Sequence, residues 1–275
     1  MENEELERLV NAVLKSPKYR NICEELIRNT GRRELSNRRS LREAIKATKN
    51  KLHQIGGAYF LTRPSYPVWL KKLRVAKETG NQEFKKVCVE IMNYHQSTRE
   101  RLRALDEFYN RVFSLLPPVH SVVDVACGFH PLAIPWMPLS GEAKYYAYDA
   151  YVDLAEFLNG FLSLVDVEGR AEARDIVQNP PAVRTDLAFV LNTVPCLEQI
   201  EKSAGLRVLE STNADSLVVS FPVRSLGRRK KGMREFYEAQ FSRLAQGKKW
   251  AFRKLELGTE LIFIVKKDLL QGITI

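Results

Sequence analysis

The sequence predicts an α/β protein in two parts: a basic helical region, then a doubly wound, mostly parallel sheet closed by an antiparallel hairpin. Three observations lead there. Up to about residue 116, apolar positions recur at helical spacing between Gly and Pro breaks. After Pro117-Pro118, short β-branched runs alternate with amphipathic stretches, the pattern of parallel strands joined by crossover helices. At the end, Trp250–Leu255 and Leu261–Val265 flank a Leu-Gly-Thr turn and so pair as a hairpin.

The elements follow in order. Leu6, Leu9, Val10, Val13 and Leu14 mark a first helix that Pro17 closes. A second helix is expected from Lys18 to Asn29, with Gly31 beyond its end. Ser40-Leu-Arg-Glu43 is a capping box opening a third, which stops near Gly56-Gly57. Two more span Tyr66–Thr79 and Gln82–Tyr94, and a second capping box, Ser97-Thr-Arg-Glu100, opens a helix running to Leu116. Strands are expected at Ser121–Ala126, Ala143–Tyr148, Glu172–Ile176, Leu187–Leu191 and Leu217–Phe221, with helices at Leu154–Leu164, from Cys196, and at Gly232–Leu244.

Charge divides the 275 residues unevenly. Residues 1–95 hold 20 Lys and Arg against 11 Asp and Glu, a net of +9, and residues 96–275 carry only +1. A basic helical docking domain (1–95) beside a nearly neutral working domain (96–275) is the expected organisation, with a polyanion as partner. No apolar run approaches the roughly 20 residues of a membrane span. The four cysteines are scattered, with no metal-ligand spacing and no paired Cys motif, so free thiols in a cytoplasmic protein are expected.

The first strand leads into Asp124-Val-Ala-Cys-Gly-Phe-His-Pro131, where Gly128 lets backbone approach a ligand closely. In open α/β sheets, ligands bind beyond the carboxyl ends of the strands. Asp149 stands at the tip of the second strand, where an acid can accept from both hydroxyls of a ribose. Asp175, beside Ile176 at the expected end of the third, can take an adenine amino group. Acids on three consecutive strands after a glycine turn point to S-adenosylmethionine.

Four segments then carry a resemblance: DVACGFHPLAIPWM from Asp124, HQSTRERL from His95, LNTVPCLEQ from Leu191 and SFPVRSLGRRKKGM from Ser220. Together they resemble the aminoglycoside-resistance 16S rRNA methyltransferases, which modify nitrogen-7 of guanine 1405 in the decoding site. The chain departs from that pattern at Asn192, where Lys is frequent, and at Arg228, where a second Gly is. The resemblance implies a class I (Rossmann-like) S-adenosylmethionine-dependent fold with a helical N-terminal domain. It implies cofactor contacts from Phe60, His95, Gln96, Ser97 and Arg101, the last as partner of the methionine carboxylate, and from Ala126, Leu191 and Gln199. Guanine nitrogen-7 has a free lone pair and no proton, so no general base, nucleophile or metal is expected, and positioning supplies the rate.

On the RNA side, Arg224, Arg228, Arg229, Lys230, Lys231 and Arg234 crowd eleven residues that contain no acid. Arg32, Arg33, Arg38, Arg39, Lys71, Lys72 and Arg74 would widen the phosphate footprint. The expected partner is 16S rRNA within the 30S subunit, bound by a monomer. Two alternatives stay open: another RNA methyltransferase, either acting on cytosine carbon-5 through Cys196 or modifying a different rRNA base; or an inactive ribosome-binding protein.

Overall fold

The computed structural model describes residues 2–54, 64–223 and 232–267. Three helices come first, α1 (Glu2–Leu14), α2 (Glu24–Asn37) and α3 (Leu41–Leu52). Leu6, Leu9, Val10 and Val13 of α1 meet Ile27 of α2 and Ala44 and Leu52 of α3 in a small core of their own. Half of the expected capping box at α3 is present, Ser40 Oγ accepting from the Glu43 amide at 3.3 Å.

The second helix differs from expectation. Residues 18–22 lie outside it, and α2 runs on to Asn37 with Gly31 inside. The reason is packing. A Cβ on Gly31 would lie 2.5 Å from Leu9 Cδ2, so the glycine is there for close helix approach and not as a helix stop.

Next come α4 (Tyr66–Thr79) and α5 (Asn81–Met92), joined at Gly80. They do not share the first core. Trp69, Leu73, Phe84 and Ile91 pack with Phe129, Phe157 and Phe161 of the sheet domain, so the hydrophobic cores part between α3 and α4 and not at residue 95. The helix expected from Ser97 to Leu116 is broken into α6 (Gln96–Arg101), a 3-10 turn at Leu102–Ala104 and α7 (Leu105–Phe113). Its N-cap is His95, and Ser97 lies inside the first turn. Arg101, Leu105 and Phe108, spaced as i, i+4 and i+7, share one inward face across the break.

The sheet contains β1 (Ser121–Val125), β2 (Lys144–Asp149), β3 (Glu168–Ala173), β4 (Thr185–Leu191), β5 (Ala214–Pro222), β6 (Trp250–Leu257) and β7 (Glu260–Lys267). Their order is β3-β2-β1-β4-β5-β7-β6, with β7 antiparallel to both neighbours. Alternate residues face opposite layers. Val122, Leu187 and Val218 meet the core that holds α8 (Val152–Leu164), while Val123, Ala188 and Val219 meet the core that holds α10 (Ala204–Ser211) and α11 (Met233–Ala245). Helices on both faces make the central strands continuously apolar.

β3 begins earlier than expected and ends before Asp175. It pairs with β2 from Lys144↔Glu168 to Asp149↔Ala173, and Arg174 then turns away, its amide donating to the Asp149 carbonyl at 2.8 Å. As an exposed edge strand opening Glu-Gly-Arg, it lacks the apolar run that marks the others. Asp175 therefore sits in the turn after β3. Between β4 and β5, the chain forms α9 (Val194–Ile200) and then the separate α10.

Gly31→Ala should lower the midpoint of chemical denaturation, costing about 1–3 kcal/mol by overpacking against the fully buried Leu9. In a double-mutant cycle, Leu9→Ala should cost less in the Gly31→Ala background than in the wild type.

Candidate functional site

Parallel strands β1, β2 and β4 end at one edge of the sheet, and their order reverses between β1 and β4. A cleft of about 980 Å³, including its open mouth, lies there. Of the residues expected at a cofactor, His95, Ser97, Ala126, Asp149, Asp175, Ile176 and Leu191 line it together. Gly128 and Arg101 stand behind that wall, and Gln96 and Gln199 are not part of it. Gln96 instead donates to Glu100 at 2.6 Å, and Gln199 is exposed on α9. Phe60 and residues 224–231 lie outside the described residues.

The turn after β1 is fixed from beneath. Asp124, buried on β1, accepts from Tyr145 Oη at 2.7 Å and meets His130 Nδ1 at 2.8 Å, which ties the turn to β2. Ala126 and Gly128 both take positive φ, 53° and 51°. A side chain on Gly128 would also meet the His95 ring, 2.7 Å from its Cε1, so this glycine answers two constraints at once. Its amide donates to Asp149 Oδ2 at 2.8 Å, and the Ala150 amide donates to Oδ1 at 2.7 Å. Burial pushes the Asp149 carboxyl upward while those amides pull it back. The result is a carboxylate held rigidly at the cleft wall.

Asp175 is held from two sides. Val177 and Gln178 donate backbone amides to Oδ1, at 3.1 and 3.3 Å, and Asn29 Nδ2 of α2 donates to Oδ2 at 2.9 Å. From the same helix, Leu26 and Arg33 also line the cleft, and Arg33 forms an ion pair with Glu201 beyond α9. The N-terminal helices thus form one wall of the site, a contribution the sequence pattern did not reveal.

The opposite end is polar and deep. Arg101 pairs with Glu260 of β7, Nη2 to Oε1 at 2.7 Å and Nε to Oε2 at 3.2 Å, and both side chains are buried. Burial works to lower the Arg101 pKa, but Glu260, with Tyr109 and Asp124, outweighs it and the net shift is upward. Asn192 extends the network from the end of β4, its Nδ2 donating to Glu260 Oε1 at 3.1 Å and reaching Ser97 Oγ at 3.5 Å. Its φ is 56°, a conformation Asn tolerates better than most residues. The methionine-carboxylate role expected for Arg101 therefore meets a guanidinium already committed to Glu260. Sequence reading missed Glu260, although an acid opening the apolar run Glu-Leu-Ile-Phe-Ile-Val signals a buried partner. His95, also buried here, is pushed down to about 4 by burial and by Arg101, so it is neutral at pH 7.

Cys196 lines the cleft with its thiol donating to the Asn192 carbonyl at 3.2 Å. Glu198, the acid a cytosine mechanism would need, is spent on the Ser203 and Gly205 amides, at 3.0 and 2.9 Å. Among the described residues, no cluster of His, Cys, Asp and Glu is arranged to hold a metal ion, and no helix is long and apolar enough to cross a membrane. Of the basic residues expected at RNA, Arg32, Arg39, Lys71 and Arg74 are exposed. Lys72 pairs with Glu90 at 2.9 Å, Arg38 with Glu34 at 3.1 Å and Arg234 with Glu256 at 2.7 Å.

A sheet of this order with its last strand reversed, carrying two fixed carboxylates at the switch-point cleft, defines a class I methyltransferase. Comparison with known proteins narrows this. The ribosomal RNA methyltransferase (FmrO) family model matches residues 15–264, and the chain belongs to that family. It is 39% identical to a 16S rRNA (guanine(1405)-N(7))-methyltransferase of Frankia casuarinae, over 95% of this chain and 94% of the relative. A protein of the same description from Micromonospora rosea is 35% identical, over 96% and 98% of the two chains. The crystal structure of 16S rRNA methyltransferase RmtF in complex with S-adenosyl-L-homocysteine superposes with a TM-score of 0.81 at 28% identity, covering 96% of this chain and 99% of that one.

Glu260→Ala should destabilise the fold by about 3–5 kcal/mol, because it strands a buried guanidinium without its partner. Glu260→Gln, which keeps the shape and one acceptor, should cost less; the two denaturation midpoints measure the difference.

Proposed function

We propose that this chain is the 16S rRNA (guanine(1405)-N(7))-methyltransferase of its source, using S-adenosylmethionine on the 30S subunit, as a cytoplasmic monomer, and protecting the ribosome from aminoglycosides. The observation that carries the proposal is the cleft with Asp149 and Asp175 in a chain whose full-length relatives bear that name. The donor set suits the cofactor. Asp149 offers two oriented oxygens to the ribose hydroxyls, and Asp175 retains acceptor capacity for the adenine amine beside apolar Ile176. Ser97 and Asn192 supply polar groups at the amino-acid end, with Arg101 adding its field from behind.

When bound, S-adenosylmethionine supplies an electrophilic methyl group on sulfur. The chain's task is then to hold a guanine with nitrogen-7 in line. Nitrogen-7 lies in the deep, narrow major groove of paired RNA, so the base is extruded toward the cleft. Neutral His95 adds no positive charge beside the sulfonium. Exposed Arg32, Arg39, Lys71 and Arg74, with Arg224 to Lys231, serve phosphate contact and position the enzyme without reading sequence.

The test is to incubate 30S subunits with the protein and methyl-labelled cofactor and to map the modified base by borohydride reduction and aniline cleavage. Label at nitrogen-7 of guanine 1405 is expected, and label elsewhere refutes the reading. Asp149→Ala should weaken S-adenosylhomocysteine binding roughly ten- to more than a hundred-fold by calorimetry, the worth of a charge-assisted hydrogen bond of about 1.5–3 kcal/mol. Cys196→Ser should keep substantial turnover, since attack by a lone pair needs no protein nucleophile. Trapping on RNA containing fluorocytosine would instead establish the covalent route.

A further inference from the structure

Asn29 belongs to α2, yet its side chain reaches a carboxylate at the cleft, 146 positions along the chain. Asp175 is 2% exposed, and a buried carboxylate must be hydrogen-bonded at both oxygens. The two backbone amides of Val177 and Gln178 take Oδ1 and leave Oδ2 to Asn29. The orientation of the Asn29 amide is itself fixed. Its Oδ1 accepts from Arg32 Nη1 at 3.3 Å, and the flipped amide would set a carbonyl oxygen against the carboxylate. One donor on Oδ2 leaves room for a second, because a carboxylate oxygen has two lone pairs.

We propose that Asn29 is a positioning residue for the adenine end of the cleft, aiming the free lone pair of Asp175 Oδ2 at the 6-amino group of the cofactor and so setting the preference for adenine over purines without that donor. The proposal rests on the reading of the cleft as the S-adenosylmethionine site given above. Without Asn29, the Asp175 carboxylate keeps only its Oδ1 anchors and can rotate about its terminal bond, or draw a water into the place of the amide. The amine then meets an acceptor that is no longer preset. Nothing else about adenosine recognition passes through Asn29, since the ribose is served by Asp149 on a different strand. A helix that merely fastened the loop after β3 would influence every ligand of the cleft alike.

The experiment uses the full-length protein and calorimetry with two ligands: S-adenosylhomocysteine, and its analogue in which hydrogen replaces the 6-amino group. Wild type should prefer the amino form. Asn29→Ala should weaken the amino form by roughly three- to tenfold, the range of one neutral hydrogen bond, and leave the deamino form unchanged, so the preference shrinks. Asn29→Asp keeps the shape, removes the donor and adds a like charge, and should shrink it further. Circular dichroism and the denaturation midpoint verify folding of each variant. If both variants weaken the two ligands equally, Asn29 only fastens the helix and the proposal is overturned. Asp175→Ala separates the two levels: it should abolish the preference. A preference that survives Asp175→Ala overturns the reading of the cleft together with the proposal, whereas one lost in Asp175→Ala but intact in both Asn29 variants overturns the proposal alone.

Discussion

The buried pairing of Arg101 with Glu260 is the constraint on which the rest of the site depends. It joins the short helix at the entrance of the sheet domain to the last strand of the sheet, and through Asn192 it reaches the end of β4. Two opposite charges removed from water hold together only if their remaining hydrogen-bonding capacity is also met, and here the amide of Asn192 supplies part of it. The helix α6 stops at Arg101, and the chain resumes as α7 after the 3-10 turn. Ser97, one helical turn before Arg101, lines the cleft wall, and burial, with Arg101 adding to it, keeps the neighbouring His95 ring uncharged.

Against this deep polar end stands the end around Asp175, walled in part by α2. Three groups on α2, Leu26, Asn29 and Arg33, face the sheet domain across the cleft. Arg32 and Arg33 are adjacent in sequence, yet one is exposed and the other is paired with Glu201 at the cleft. Adjacent helical residues point about 100° apart, so a single helix can present one arginine outward and one inward. The basic excess of residues 1–95 is therefore not all surface charge available to a polyanion.

Much of this was legible in the sequence where one physical rule dominated. Alternating strands and helices, the closing hairpin and the Ser40 cap all follow from local patterns; Asp149, at the end of β2, and Asp175, in the turn after β3, both fall at the cleft. The misreadings arose where tertiary packing overrode a local signal. Gly31 reads as a helix stop until Leu9 is seen pressed against it. Ser97-Thr-Arg-Glu100 reads as a capping box, but the cap lies two residues earlier, at His95, and the helix begins at Gln96. β3 escapes because an edge strand can afford polar residues on both faces, and α4 and α5 look like part of the basic domain although their apolar faces are spent on the sheet domain. Glu260 and Asn29 could not be paired with their partners by any local rule, since each partner is more than a hundred positions away.

That separation also orders the folding of the molecule. The contacts that close the cleft, Asn29 with Asp175, Arg101 with Glu260 and Arg33 with Glu201, span 146, 159 and 168 positions. Loop-closure entropy makes such contacts the last to repay their cost, after the helix pairs and the parallel strands are in place. During synthesis, the N-terminal helices emerge first and can complete their own small core, but their cleft-facing groups wait for strands made much later. The binding site is thus the final part of the chain to take shape, and a nascent or partly folded molecule holds its core long before it can hold a ligand.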